Sequence, residues 1–183
     1  TQGQWRELMG GNPSDFSTCG DDCPVETVSW EDAMAYTRRL NQKVSGKEDR
    51  PYRLPSESEW EYACRGEAHQ KYCGSDDLDR VAWYSENSGG RSRPGGAKAA
   101  NRYGLHDMSG NVREWVEDCD HMSYNGAPTT GKAWTSGGDC ASRVFRGGSW
   151  FSAPSYARAT KRFGLDAAAR FNFLGFRVAR TLP

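Results

Sequence analysis

The sequence predicts an α+β fold, and three observations carry that reading. Two segments with clear helix-start signals fall in the first 65 residues. After them come short β-like runs separated by long polar stretches. Twenty-one glycines and eight prolines, against 36% hydrophobic residues, call for many turns and much irregular backbone. Helices grouped early and strands grouped late point to α+β rather than to alternating α/β architecture.

The first predicted helix runs from Ser29 to Asn41, SWEDAMAYTRRLN. Ser29 is a candidate N-cap, Glu31 and Asp32 suit the positive end of the helix dipole, and Arg38 and Arg39 suit the other end. Ala33, Tyr36 and Leu40 form an apolar stripe at spacings of three and four. The second helix runs from Ser56 to Arg65, SESEWEYACR, where Ser56 and Glu59 have the spacing of a capping box and Trp60 can face a core. The expected strands are Val112 to Val116, Arg143 to Arg146 and Gly175 to Ala179. Residues 74–100 and 119–140 read as mostly loop. No internal repeat or linker interrupts the chain, so residues 1–183 read as one domain. Its opening at TQGQW, without a signal peptide, reads as a mature or trimmed product.

Composition narrows the function. Lys and Arg balance Asp and Glu at 24 each, so no electrostatic footprint for nucleic acid or an anionic membrane is expected. No apolar run approaches the roughly 18 residues a spanning helix needs, so no membrane span is expected. Seven tryptophans and eight tyrosines offset the modest hydrophobic content, because each buries a large area. Six cysteines fall in three close pairs: Cys19 with Cys23, Cys64 with Cys73, and Cys119 with Cys140. An even count in a glycine-rich chain favours disulfides and a periplasmic, cell-surface or secreted location. Free thiols or zinc are the alternative, but His69, His106 and His121 are scattered and no Cys-x-x-Cys is present. Neither a Gly-x-Ser-x-Gly elbow nor a His-Glu-x-x-His motif occurs.

Five segments, in order, resemble one family: PVETVSWEDAMAY at 24–36, YRLPSESEWEYACR at 52–65, NRYGLHDMSGNVREWVED at 101–118, RVFRGGSW at 143–150 and LGFRVAR at 174–180. They are similar to the formylglycine-generating enzyme (sulfatase-modifying factor) family, over nearly the whole chain. The resemblance implies a variant of the C-type lectin fold, with two helices, small twisted antiparallel sheets and much irregular structure. It also implies one more strand ahead of TQGQW, so that the chain is expected to be a trimmed piece.

Members with the name-giving activity oxidise a sulfatase cysteine to formylglycine, using two cysteines that bind copper(I) just after the GGS motif. Here those positions align with Ser152 and Ala157. Copper(I) is soft and needs thiolates, which neither residue supplies, so formylglycine-generating activity is not expected. Ser149 in GGSW could be a nucleophile, but a serine that bonds its own turn is the plainer assignment. The resemblance also implies a structural Ca²⁺, held by the Asp107 and Glu114 carboxylates and the Gly110 and Val112 carbonyls. An all-oxygen set with two carboxylates suits that hard cation. The plainer alternative is that Asp107 caps a turn and Glu114 pairs with an arginine.

Residues 146–180 are the candidate ligand-binding or variable segment. In this fold they line the ligand face, and here they carry Trp150, Phe151, Tyr156, Phe163, Phe171 and Phe173, with Arg158, Arg162 and Arg170 among them. Aromatics mixed with arginine are what binding hot spots use. Ser152, Ser155 and Asn172 complete the candidate contact set. The segment also resembles the variable region of proteins diversified by retroelements, some of which share this fold and the GGSW and GFR anchors. The expected function is a non-catalytic domain that binds a protein or small-molecule ligand. An oxidoreductase acting on another substrate, and an accessory of the bacterial envelope, are the alternatives.

Overall fold

A computed structural model describes residues 1–44 and 51–180. Among these, four α-helices come first in the chain: α1 (Gln2–Met9), α2 (Trp30–Val44), α3 (Glu57–Arg65) and α4 (Leu78–Val81). Four strands succeed them: β1 (Arg113–Asp120), β2 (Asp139–Arg146), β3 (Arg162–Asp166) and β4 (Leu174–Phe176). The sheet order is β3-β2-β1-β4. β1 pairs antiparallel with β2, β2 antiparallel with β3, and β4 lies parallel to β1. The sheet is therefore mixed where antiparallel pairing was expected. Its parallel edge comes from the long excursion between β1 and β4, which lets the chain return in the same direction.

The capping expectations are met in detail. The Ser56 hydroxyl accepts from the Glu59 amide, the Glu59 carboxylate accepts from the Ser56 amide, and Gly66 closes α3 in the left-handed region. Ser29 and Asp32 exchange the same pair of bonds at the start of α2, at 3.1 and 2.9 Å. α2 runs on past Asn41 to Val44, so Lys43, and not Arg38 or Arg39 as expected, is the basic residue of its last turn. α1 and α4 were not expected. α1 offers little apolar signal, because its buried residues are Trp5 and a glutamine, Gln2. That amide is fixed by carbonyls of Phe16 and Pro24, both at 3.3 Å, and by Asn12 at 2.9 Å.

Alternation along β1 sends its residues to opposite faces of the sheet. On one face Trp115, Phe145 and Leu174 pack with Leu54 and with Trp30, Ala33 and Met34 of α2. On the other, Val116 and Val144 pack with Trp60 and Cys64 of α3, together with Met108, Cys73 and Ala159. The tryptophans can be buried because their indole N–H groups find acceptors. Trp115 donates to the Val28 carbonyl at 3.0 Å, Trp30 to the Val116 carbonyl at 2.9 Å, and Trp60 to the Glu114 carboxylate at 2.6 Å.

All six cysteines are in disulfides, paired as proximity predicted: Cys19–Cys23, Cys64–Cys73 and Cys119–Cys140. Three disulfides suit an oxidising, extracytoplasmic environment. No helix among the described residues is long and apolar enough to cross a membrane.

Candidate functional site

The GGSW turn builds the face. Gly147 and Gly148 hold φ of 96° and 72°, values that favour glycine. A side chain at Gly148 would also strike Ala157, whose Cα lies 2.8 Å from where the Cβ would stand. Trp150 then straps the segment down. Its amide donates to the Asn111 carbonyl at 2.8 Å, its carbonyl accepts from Ser88 at 2.7 Å, and its indole donates to the Asn172 carbonyl at 3.0 Å. That last bond joins the two ends of the candidate segment.

From this strap a run of rings spreads across the surface. Phe16 meets Trp150 edge-on at 5.4 Å, and Trp150 meets Phe151 at 5.2 Å. Phe151 meets Phe173 at 4.8 Å, and Phe173 stacks on Phe171 at 4.9 Å. A second run leads inward, from Tyr156 to Phe163 at 5.8 Å, to Phe145 at 5.7 Å and to Trp115 at 5.8 Å. Phe151, Tyr156 and Phe171 remain 43%, 44% and 42% exposed, so ring contacts run from the core out to the surface. Ser155 is exposed, and Trp150, Phe163, Asn172 and Phe173 are half-buried.

Ser152 lies beneath this face rather than on it. It is buried, and its hydroxyl accepts from the Ser149 amide at 3.0 Å and shares a bond with the Ser149 hydroxyl at 3.1 Å. These bonds make Ser149 a turn-bonding serine. Ala157 is fully buried against Gly148. No free thiol stands at either position or elsewhere in the chain, so the residues present do not fit a copper(I) thiolate centre.

The arginines sort differently from the expectation. Arg162 points away, into Glu57 and the His121 carbonyl at 2.8 and 2.6 Å. Arg170 forms a bidentate pair with Asp32 at 2.8 and 3.0 Å. Arg158 is exposed. The guanidinium at the centre of the rings belongs to Arg113. Its carbon lies 5.1 Å from the Phe145 ring, 5.5 Å from Phe151, 5.3 Å from Phe163 and 5.1 Å from Phe173. Lys161 adds its ammonium at 5.9 Å from both Tyr156 and Phe163. Burial holds the Arg113 guanidinium below its ordinary pKa, partly offset by the nearby Tyr156 hydroxyl. Sequence reasoning missed Arg113 because it lies outside the segment. The signal was there: in Arg-Glu-Trp, residues 113 and 115 share a strand face, and Trp115 belongs to the core.

The candidate calcium loop is a second polar centre. Asp107, Gly110 and Asn111 take φ of 57°, 79° and 59°, which folds the loop back on itself. One Asp107 oxygen accepts from the Gly96 amide at 2.8 Å, while the other, Oδ1, is buried with no partner. Burial pushes the Asp107 carboxyl up from its ordinary value, against the Gly96 bond and the Arg177 charge. A cavity of about 180 Å³ lies here, lined among others by Asp22, Gly95, Asp107, Val112 and Glu114. Glu114 is engaged by Arg177, through Nε and Nη2 at 2.6 Å each, and by Trp60. The orphaned Asp107 oxygen fits a hard cation. The Glu114–Arg177 pair is the ion-pair alternative raised from the sequence. No cluster of three His, Cys, Asp or Glu suited to a metal occurs among the described residues, so a cation here would depend on main-chain carbonyls.

Known proteins share this framework. A family model described as "Sulfatase-modifying factor enzyme 1-like domain" matches residues 1–182. The chain is 30% identical to chaperone protein LppX of Paenibacillus barcinonensis, over 99% of this chain and 77% of that one. It is 34% identical to the formylglycine-generating enzyme of Streptomyces coelicolor, over 96% of this chain but only 57% of that enzyme. Among solved structures, Treponema denticola variable protein 1 superimposes with a TM-score of 0.88 at 29% identity, covering 97% of this chain and 80% of the other. The architecture is thus a formylglycine-generating-enzyme-like variant of the C-type lectin fold.

Proposed function

Since the chain belongs to the sulfatase-modifying factor enzyme 1-like domain family, matched over residues 1–182, we propose that it is a non-catalytic member that binds a ligand on its C-terminal aromatic face. One observation carries this reading: Phe151, Tyr156 and Phe171 stand open at 42–44% exposure, around a held frame of Gly147, Gly148 and Trp150. Exposed rings that are contiguous, unlike ones scattered singly, mark an interaction surface. The likeness to variable protein 1 supports a finer form of the proposal, in which the ring-bearing positions are diversified by a retroelement. A near-copy of the coding 3′ end beside a reverse transcriptase gene would establish that form, and its absence from the genome would remove it.

The binding test replaces rings and leaves the frame alone. A Phe151→Ser/Phe171→Ser variant is expected to keep the wild-type melting temperature within a few degrees and to lose binders selected on the wild-type protein. Binders that survive both changes would sink the proposal. The parallel assay for the name-giving activity supplies copper, oxygen and a cysteine peptide, and is expected to yield no formylglycine. Turnover there would overturn the non-catalytic reading.

We assign the structural cation in the same terms. Ca²⁺ would be held by Asp107, Glu114 and the carbonyls of Gly110 and Val112, and would supply charge to the orphaned Asp107 oxygen. Calcium is then expected to raise the melting temperature of the wild type and not of Asp107→Ala, measured after chelation and re-addition. Equal melting curves with and without calcium would refute the assignment.

A further inference from the structure

Arg113 is the one feature of the face that the ring surface alone does not explain. A guanidinium presents five N–H donors in a fixed fork. That of Arg113 is half-buried among four rings, its Nε is buried without a hydrogen-bond partner, and no ion pair reaches it among the described residues. Five other arginines of this fold, Arg53, Arg146, Arg162, Arg170 and Arg177, are each matched by a carboxylate. The rim repeats the sign: Lys161 hangs over Tyr156 and Phe163, and Arg158 is exposed nearby in the chain. Arg143 also lacks an ion pair and lies 3.9 Å over the Trp30 ring, but it donates to the Glu117 carbonyl at 3.0 Å, whereas the Arg113 guanidinium stands in an apolar wall with neither carboxylate nor carbonyl among the described residues. Charge-assisted hydrogen bonds strengthen there, because bound ligand would exclude water.

We infer that Arg113 is the charge-recognition residue of this face, and that the ligand is a protein segment presenting an Asp or Glu carboxylate flanked by apolar side chains. This rests on the proposal that the aromatic face binds a ligand. A carboxylate fits a single planar fork bidentately, whereas a phosphate draws on several cations converging on one point. A free small acid would cover Arg113 and leave Phe151, Tyr156 and Phe171 in water, while a peptide carrying its own apolar groups covers both. Arg113 is held by its strand and by the rings before any ligand arrives, so little side-chain freedom is lost on binding.

The test selects a random dodecamer peptide library on the folded, oxidised protein. Recovered peptides are measured by fluorescence anisotropy against wild type, Arg113→Gln, Arg113→Lys and Phe151→Ser/Phe171→Ser. Peptides with a shared Asp or Glu beside an aromatic or aliphatic residue are expected. Arg113→Gln should weaken them about 10- to 100-fold, as should changing the peptide's acid to its amide, and the two changes together should cost no more than either alone. Arg113→Lys should restore binding only in part. If Arg113→Gln does not fold, the acid-to-amide change in the peptide decides by itself. Peptides that lack an acid, or that bind Arg113→Gln as tightly as wild type, overturn the inference. If such peptides are lost on Phe151→Ser/Phe171→Ser, the binding face survives without its charge; if they persist, both readings fall.

Discussion

Two arginines on the sheet, Arg113 and Arg146, meet opposite fates. Arg146, at the end of β2, is fully buried on the α3 side and is answered from several directions. Glu57 accepts from it at 2.6 Å, Glu61 at 2.5 Å, and the Ala159 carbonyl at 2.7 Å, while the guanidinium lies 5.3 Å from the Trp60 ring. Arg113, at the start of β1, lies on the other face, among rings alone. The difference teaches how to separate structure from function in a chain rich in arginine. A buried charge with matched partners ties elements together, here α3 to β2. A half-buried charge without them ties no two elements by ion pairs and keeps its donors free for a partner.

The hardest break of the comparison is Arg146→Ala, which takes a buried guanidinium from both Glu57 and Glu61 and leaves each with one more-exposed arginine, Arg162 and Arg65. Losing one partner of a buried pair costs about 3–5 kcal/mol, so urea unfolding should show stability lowered by that amount or no folded protein at all. Trp60→Phe is milder. It removes the indole donor to Glu114 but leaves the Arg177 bonds, and a single charge-assisted bond is worth about 1.5–3 kcal/mol. Arg113→Met should move stability by less than about 1.5 kcal/mol, since the loss of its ring contacts is offset by removal of a desolvated cation and the apolar stem is kept. A loss near that of Arg146→Ala would erase the distinction between the two sites. The smallest expected effect is a pH dependence. Burial alone would push the Glu61 carboxyl up, but the Arg146 and Arg65 guanidiniums hold it below its ordinary 4.5. Its contribution is complete above pH 4.5 and is lost as the pH falls through the lower native value. Glu61→Gln should therefore flatten the acid limb of the stability curve, and an unchanged limb would show that the pair is screened.

Much of this was readable from residues. Ser56 with Glu59, and Ser29 with Asp32, announce their helices because caps are local chemistry. The cysteine pairs were readable because each closes a short span. The glycine anchors at 147 and 148 marked the frame. What stayed hidden was decided by partners distant in sequence. β3 was not among the expected strands, because it is charged and glycine-containing and is fixed by distant partners, Arg162 by Glu57 and Phe163 by Phe145. β4 is shorter than expected because Arg177 leaves the ladder for Glu114, while Ala179 bridges to Arg53. Arg113 could be placed only once Phe151, Phe163 and Phe173, 38 to 60 positions later, had been brought around it.

The parallel docking of β4 on β1 also bears on how the molecule is made. The disulfides span separations of 4, 9 and 21 residues and can close while synthesis continues. The sheet cannot. Gly175 must press against the Val25 carbonyl, and the Phe171 carbonyl must accept from the Thr27 amide at 3.0 Å, so the early helices wait for residues 171–175 before their apolar sides are covered. A nascent chain halted before residue 174 would carry its covalent crosslinks yet lack Leu174, a member of the core cluster under α2. The core therefore closes only once residue 174 has emerged, and the interval before that, with the helices made and their apolar sides uncovered, is when aggregation threatens most.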